Sequence, residues 1–282
     1  MKILVTGATG FVGQHVVRRL ISKKHQVIAV ARDEEKAQKF DWYDQVKFIS
    51  YDIHQAKQNL NLKNWENPKT VMHLAWTGLP DYKSIHHVTE NLPGDLQFLH
   101  KIVEQGIEQV LVTGTCFEYG QQNGSLSEDK PTMPNNPYAL AKDTLRRSLE
   151  FIKQDLPFRL QWVRLFYMYG TGQNPNSLLA QLDRAIKEGK DIFEMSGGEQ
   201  LRDYLPIEEV ARKLVDIVEN QEWQGIVNCC NSKPISVRSL VESYLERKGA
   251  KMKLDIGYYP YPDYEPMAFW GNNSKLKKIL CH

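Results

Sequence analysis

Long apolar runs are missing from this chain, and so is any block of one charge. No stretch approaches the length that crosses a bilayer. The 36 basic and 34 acidic side chains leave a net charge of +2, spread along the chain. Neither nucleic acid nor membrane is therefore expected as a partner. Cysteine is scarce. Cys116, Cys229, Cys230 and Cys281 lack paired C-x-x-C spacing, so reduced thiols, no metal and a cytoplasmic setting are expected. Cys116, beside Thr115, is either a reactive thiol or a small apolar filler. Repeats and low-complexity linkers are also absent. Met1-Lys2-Ile3 already opens the first strand, leaving no room for a leader peptide.

Short Val/Ile/Leu-rich segments alternate with segments of helical period through the first two thirds. Strands are expected at 2–6, 26–30, 46–51, 70–74, 109–114 and 159–165, and helices at 11–23, 86–105 and 137–154. That alternation predicts an α/β fold with a parallel sheet wound on both faces. The pattern changes near residue 166. Helices are expected at 177–189, 207–219, after Ser236 and at 273–280, with extended segments at 202–204, 225–229 and 253–258.

The first strand runs into Thr6-Gly7-Ala8-Thr9-Gly10-Phe11-Val12-Gly13. Gly7 allows a tight turn, Gly10 lets backbone approach a phosphate, and Gly13 lets the helix pack on the strand. The helix's first amides then face an anion. The spacing is G-x-x-G-x-x-G rather than G-x-G-x-x-G, and an ordinary glycine-rich turn is the alternative. Further on, Tyr138 and Lys142 stand at i and i+4, on one helix face. The strand over 109–112 ends in Thr113-Gly114-Thr115.

Together these residues resemble the short-chain dehydrogenase/reductase superfamily. The closer likeness is to its extended branch of nucleotide-sugar epimerases, dehydratases and reductases. The resemblance continues through His73-Leu74-Ala75, Asn91, Tyr119-Gly120, Arg164-Leu165-Phe166, Tyr169-Gly170, Arg202-Asp203-Tyr204 and Asn228. It implies a Rossmann domain over 1–166. Residues 167–282 would mainly form a small nucleotide-sugar lobe, with segments returning to the sheet. It implies cofactor contacts from Gly7, Thr9, Gly10, Phe11, Val12 and Gly13, and from Arg32. Further contacts are implied for Asp52, Ile53, Leu74, Ala75, Asn91, Tyr138 and Lys142. Asp52 would bond the adenine amino group, or else close a simple turn.

The catalytic residues it implies are Thr115, Tyr138 and Lys142. A phenol is a poor base at neutral pH, and a cation one turn away stabilises the phenolate. Tyr138 would then move the proton of a sugar hydroxyl while hydride leaves the same carbon. Lys142 would also bond the nicotinamide ribose, and Thr115 would polarise the reacting oxygen. Implied substrate contacts are Thr115, Cys116, Phe117, Tyr167, Asn176 and Arg202. Arg202 would clamp the diphosphate, or else pair with Asp203 or another acid. Tyr167 stands where many relatives carry Asn, and it either lines the sugar pocket or packs.

Two departures narrow the chemistry. An acid is expected at the end of the second strand, yet Ala31 occupies that place and Arg32 follows. A guanidinium there suits a 2′-phosphate, so NADPH is expected ahead of NAD. The alternative has Arg32 solvated and Asp33 serving the ribose of NAD. Members that dehydrate sugars carry Asp-Glu after the Thr. Here Cys116 and Phe117 stand there, which excludes a 4,6-dehydratase. The segment 114–120 resembles ketoreductases that form dTDP-fucose or dTDP-6-deoxytalose. The leading expectation is therefore NADPH-dependent reduction of a nucleotide-linked 4-keto-6-deoxyhexose. An NAD-dependent 4-epimerase and a non-catalytic NADP sensor are the alternatives. Apolar residues Leu145, Leu149, Phe151 and Ile152 on the helix over 137–154 suggest a homodimer.

Overall fold

The computed structural model describes residues 1–55 and 60–281. The glycine-rich turn joins β1 (Lys2–Thr6) to α1 (Phe11–Ser22), and β2 (Gln26–Ala31) returns beside β1. A single turn, α2 (Glu34–Ala37), precedes β3 (Lys47–Ser50). The chain then crosses to the other side of β1 as β4 (Thr70–His73). A π turn (His87–Asn91), α3 (Leu92–Glu104) and β5 (Gln109–Thr115) follow. A 3-10 turn (Cys116–Tyr119) and β6 (Gly124–Leu126) lead to α4 (Pro137–Asp155), β7 (Arg159–Leu165) and β8 (Tyr167–Tyr169).

The remainder contains α5 (Leu178–Lys187), β9 (Ile192–Met195), β10 (Leu201–Arg202), β11 (Tyr204–Pro206) and α6 (Ile207–Glu219). It closes with β12 (Gly225–Cys229), β13 (Ile235–Ser236), α7 (Val237–Lys248), β14 (Lys253–Ile256), β15 (Phe269–Gly271) and α8 (Ser274–Leu280). The central sheet has the order β12-β7-β5-β4-β1-β2-β3, and every pair in it is parallel. The chain order reverses between β1 and β4. In such sheets a ligand crevice lies at the carboxyl ends beside that point.

Strand alternation sends Ile3 and Val5 to one face and Leu4 to the other. Ile3, Val5 and Leu111 pack with Val16, Val17 and Leu20 of α1 and Leu214 and Val218 of α6. Leu4, Val110, Val112 and Trp162 pack with Phe98 and Ile102 of α3 and Leu145 and Leu149 of α4. A smaller core of Leu182, Phe193, Met195, Leu240 and Val241 holds α5, β9 and α7 together. Among the described residues, no helix is long and apolar enough to cross a membrane.

Three local expectations change. The helix expected over 86–105 opens as a π turn, because Pro93 has no N–H for the carbonyl four residues back. The strand expected at 202–204 breaks into β10 and β11, which pair with different partners. Asp203 sits at the break, buried, and accepts N–H groups from Asn231 (2.7 Å) and Ser232 (2.8 Å). On α4, Leu145 and Leu149 belong to the core and Ile152 is partly buried against it. Of that apolar set only Phe151 is exposed, at 68%.

Candidate functional site

A cavity of about 210 Å³ opens at the carboxyl ends of β1 to β4. Its turn wall is Gly7, Thr9 and Gly10, and its far wall includes Arg32, Asp52 and Ile53. Leu74 and Ala75 close a third side. Gly7 adopts φ +68°, and a Cβ there would stand 2.8 Å from the Ala75 backbone. A Cβ on Gly13 would stand 2.0 Å from the Gly7 carbonyl oxygen. Gly10 caps α1 with its backbone, so the first N–H groups of the helix have no side-chain partner of their own. These features fit a dinucleotide whose phosphates meet the helix start. Phe11 and Val12, the first residues of α1, are partly buried against the core.

Other members of the expected cofactor set are occupied. Asp52 Oδ1 accepts the His54 backbone N–H at 3.1 Å, a local turn, while Asp52 still lines the cavity. Asn91 is fully buried and spends its carboxamide on the loop after β4. Its Oδ1 accepts from the Thr77 hydroxyl at 2.6 Å, and its Nδ2 donates to the Thr77 carbonyl at 3.0 Å. It shapes the cavity wall rather than forming it. Asp33 caps α2 by accepting the Lys36 N–H at 2.8 Å.

A buried network beneath the cavity escaped the sequence reading. Asp95 is fully buried and accepts from the ring nitrogen Nε2 of His73 and, at 3.0 Å, from His54 Nε2. His73 Nδ1 lies 3.0 Å from the Thr6 hydroxyl. Burial pushes the Asp95 carboxyl up, but His73 and His54 hold it below its usual value. The hydrogen bond to Asp95 raises His54 in return. His54 also lines the cavity. Only the register Thr6↔His73 makes this network possible, and residues 41 positions apart in sequence give no local signal.

Thr115, Tyr138 and Lys142 come together at the end of β5 and the start of α4. All three are buried. Burial drives the Tyr138 phenol well above its usual pKa, while a hydrogen bond with Thr115 works against the rise. The free phenol therefore holds its proton. Lys142 Nζ donates to the Thr113 carbonyl at 2.9 Å. Burial pushes it down to about 8, opposed by Asp95 and Glu118. Burial, not Lys142, thus dominates Tyr138 in the free protein, because the ammonium is aimed at Thr113. The ring of Trp76 lies 4.0 Å from Nζ.

Glu118 is turned away from this centre. It is fully buried and closes a capping box with Thr115, accepting the Thr115 N–H at 2.9 Å. It also accepts from Trp162 Nε1 at 3.0 Å and pairs with Arg164 Nε at 2.7 Å. Cys116 is buried, which raises its thiol pKa, so it is an apolar filler rather than a reactive thiol. Phe117 packs edge-on against Tyr82, with ring centroids 5.0 Å apart.

A second cavity, of about 270 Å³, lies among the smaller elements and includes Tyr167, Gln181, Arg202 and Tyr204 in its lining. Arg202 is buried and pairs with Glu265 at 3.0 Å, and its Nη1 donates to the carbonyls of Leu201 (2.9 Å) and Met267 (3.1 Å). The acid expected as its alternative partner is therefore Glu265, from a loop the sequence did not single out. The Tyr167 hydroxyl bonds to the same Glu265. Asn176 is exposed and outside this cavity, its N–H given to Asn174 at 2.8 Å. Gln181, whose side chain donates to the Asn176 carbonyl at 2.6 Å, stands in the wall instead.

The pattern of the NAD dependent epimerase/dehydratase family matches residues 3–230. The chain is 31% identical over 272 residues to a dTDP-6-deoxy-L-talose 4-dehydrogenase (NAD(+)) of Aggregatibacter actinomycetemcomitans, spanning 96% of this chain and 99% of that one. It is 24% identical over 306 residues to a UDP-glucose 4-epimerase of Halalkalibacterium halodurans, covering 99% and 90%. Among solved structures it is similar to MoeE5 in complex with UDP-glucose and NAD, with a TM-score of 0.82 and 26% identity, covering 100% of this chain and 92% of that one. These matches overturn the expected preference for NADPH: the MoeE5 complex holds NAD, and the dehydrogenase carries NAD(+) in its name. The physical reason lies in Arg32, which is exposed and whose guanidinium has no partner among the described residues to hold it in place. A solvated arginine does not by itself select a 2′-phosphate.

Proposed function

The chain belongs to the NAD dependent epimerase/dehydratase family, and on that premise we propose that it interconverts the 4-hydroxyl and 4-keto groups of a nucleotide-linked 6-deoxyhexose. NAD(H) is the hydride carrier and thymidine diphosphate the carrier of the sugar. The observation that carries this reading is the likeness to the dTDP-6-deoxy-L-talose 4-dehydrogenase, which runs nearly end to end in both chains. The meeting of Thr115, Tyr138 and Lys142 supports it.

When bound, NAD(H) would supply the hydride chemistry at C4. The chain's residues do the rest. Gly7, Gly10 and the start of α1 take the pyrophosphate, and Asp52 and Ile53 meet the adenine end. Thr115 orients the oxygen on C4. Tyr138 Oη gives a proton to that oxygen in reduction and takes one from it in oxidation. The protonated phenol of the free protein suits the reductive direction. Lys142 supplies the positive charge that oxidation demands nearby. Arg202 meets the diphosphate once Glu265 yields its place. Residues 167–282 contribute the substrate lobe, apart from β12, α6 and α8, which join the central fold.

The test is turnover with dTDP-linked 6-deoxyhexoses and NAD, following NADH absorbance and the product by NMR. Stoichiometric NADH with a 4-keto product supports the reading. No redox change with any such sugar overturns it. The second reading is a 4-epimerase, favoured by the likeness to a UDP-glucose 4-epimerase. It predicts tightly retained NAD and inversion at C4 without net NADH.

A further inference from the structure

Trp76 touches both Tyr138 and Lys142. Its ring lies 4.0 Å from Lys142 Nζ and edge-on to Tyr138, with centroids 5.9 Å apart. The indole is not free to turn. Its Nε1–H donates to His87 Nδ1 at 3.1 Å. His87 is fixed in turn, because Nε2 donates to the Asp81 carbonyl at 2.8 Å and Nδ1 also accepts from Asn91 Nδ2 at 3.2 Å. A ring nitrogen that accepts two N–H groups carries no proton, so this imidazole is neutral. Burial, which lowers the His87 pKa, acts in the same direction.

We propose that Trp76 is a positioning residue: its π face, locked by His87 and Asn91, keeps the Lys142 ammonium charged beside Tyr138. The consequence for turnover rests on the catalytic reading given above. The role of Trp76 toward Lys142 does not.

Every element packed around Lys142 supplies a group to weigh. Asp95 of α3 and Glu118 of the turn after β5 both favour the cation. Each is shared: Asp95 with His54 and His73, Glu118 with Trp162 and Arg164. β5 offers the Thr113 carbonyl. Tyr138, one turn back on α4, is kept neutral by burial, and His87 is neutral. The indole face therefore meets an ammonium that burial has already pushed down to about 8. A desolvated cation on an indole face is worth about one pH unit in the lysine's titration.

Lysine-selective isotope labelling and NMR can read the Lys142 titration in the free protein, with the resonance assigned by its loss in Lys142→Met. Trp76→Leu keeps an apolar side chain on the cavity wall and removes the π face, so the midpoint should fall by about one pH unit. Trp76→Phe keeps a π face and should move it by less than about half as much. His87→Ala frees the indole and should also lower the midpoint, which covers the case in which Trp76→Leu does not fold. A midpoint unmoved or raised in both Trp76→Leu and His87→Ala, or in whichever of them folds, overturns the proposal. In turnover assays the basic limb of kcat/KM should move to lower pH with the NMR midpoint. A packing role would instead lower the rate equally at every pH. If the midpoint moves but the wild type turns over no nucleotide sugar, the functional reading fails and the role of Trp76 stands.

Discussion

Tyr138 sits where burial opposes its ionisation, and in the proposed reaction its part is a transferable proton. Tyr138→Phe keeps the ring and should keep NAD affinity while kcat falls about 10²–10⁴-fold. A kcat within a factor of about three of wild type would remove Tyr138 from the mechanism. Glu118 carries a structural duty instead. Glu118→Gln leaves the Arg164 charge buried without its partner, at a cost of about 3–5 kcal/mol read by urea unfolding. His54 gives a pH dependence of definite sign. Its bond to Asp95 raises its pKa in the folded state. The stabilisation is therefore full below about pH 6.5 and is lost as pH rises through the folded value. Asp95, held low, loses its contribution only at the acid end, as pH falls through its own folded value. Wild-type unfolding midpoints should decline from about pH 6 to about pH 8, and His54→Gln should flatten that slope.

The element on which the proposed cofactor site rests is the strand–turn–helix unit of β1 and α1. Gly13 lets α1 lie against the turn, since a Cβ there would come within 2.0 Å of the Gly7 carbonyl oxygen. That atom is backbone and cannot swing aside. Gly13→Ala should therefore lose about 1–3 kcal/mol of stability by overpacking. It should also weaken NAD binding, because the helix start moves off the phosphates. Calorimetric titration with NAD checks it, and wild-type affinity would show that the unit tolerates the shift. The π turn plays a comparable part on the other side of the cavity. Through Asn91 and His87 it orders Thr77 and Trp76, a task invisible in the helical period that marked 86–105.

At the scale of the molecule, α3 and α4 pack side by side and turn one face outward. Phe151 (68%) and Leu140 (47%) are exposed there. They stand eleven residues, about three turns, apart on α4, so they share a face. A twofold contact between copies would cover both with the same patch. Light scattering at micromolar protein should then give twice the chain mass of 32.6 kDa. Phe151→Glu should return the single-chain mass without loss of fold. A wild-type mass of one chain would end the dimer reading.

The sequence by itself determined the parallel sheet, the glycine turn and the Tyr138–Lys142 pair, because each is written in a local period or a short spacing. Strand alternation, the i, i+4 rule and the lack of a glycine Cβ act within a few residues. It misread the cofactor, since Arg32 marks a charge without saying what holds it. Tertiary structure decided what long-range pairing decides. The register of β1 on β4 placed Thr6 and His73 over Asp95. The loop carrying Glu265 set the partner of Arg202. The start of α4, brought under the loop after β4, put the Trp76 face on Lys142. Such contacts join residues tens of positions apart, and their energy depends on burial and orientation, which no window of the sequence contains.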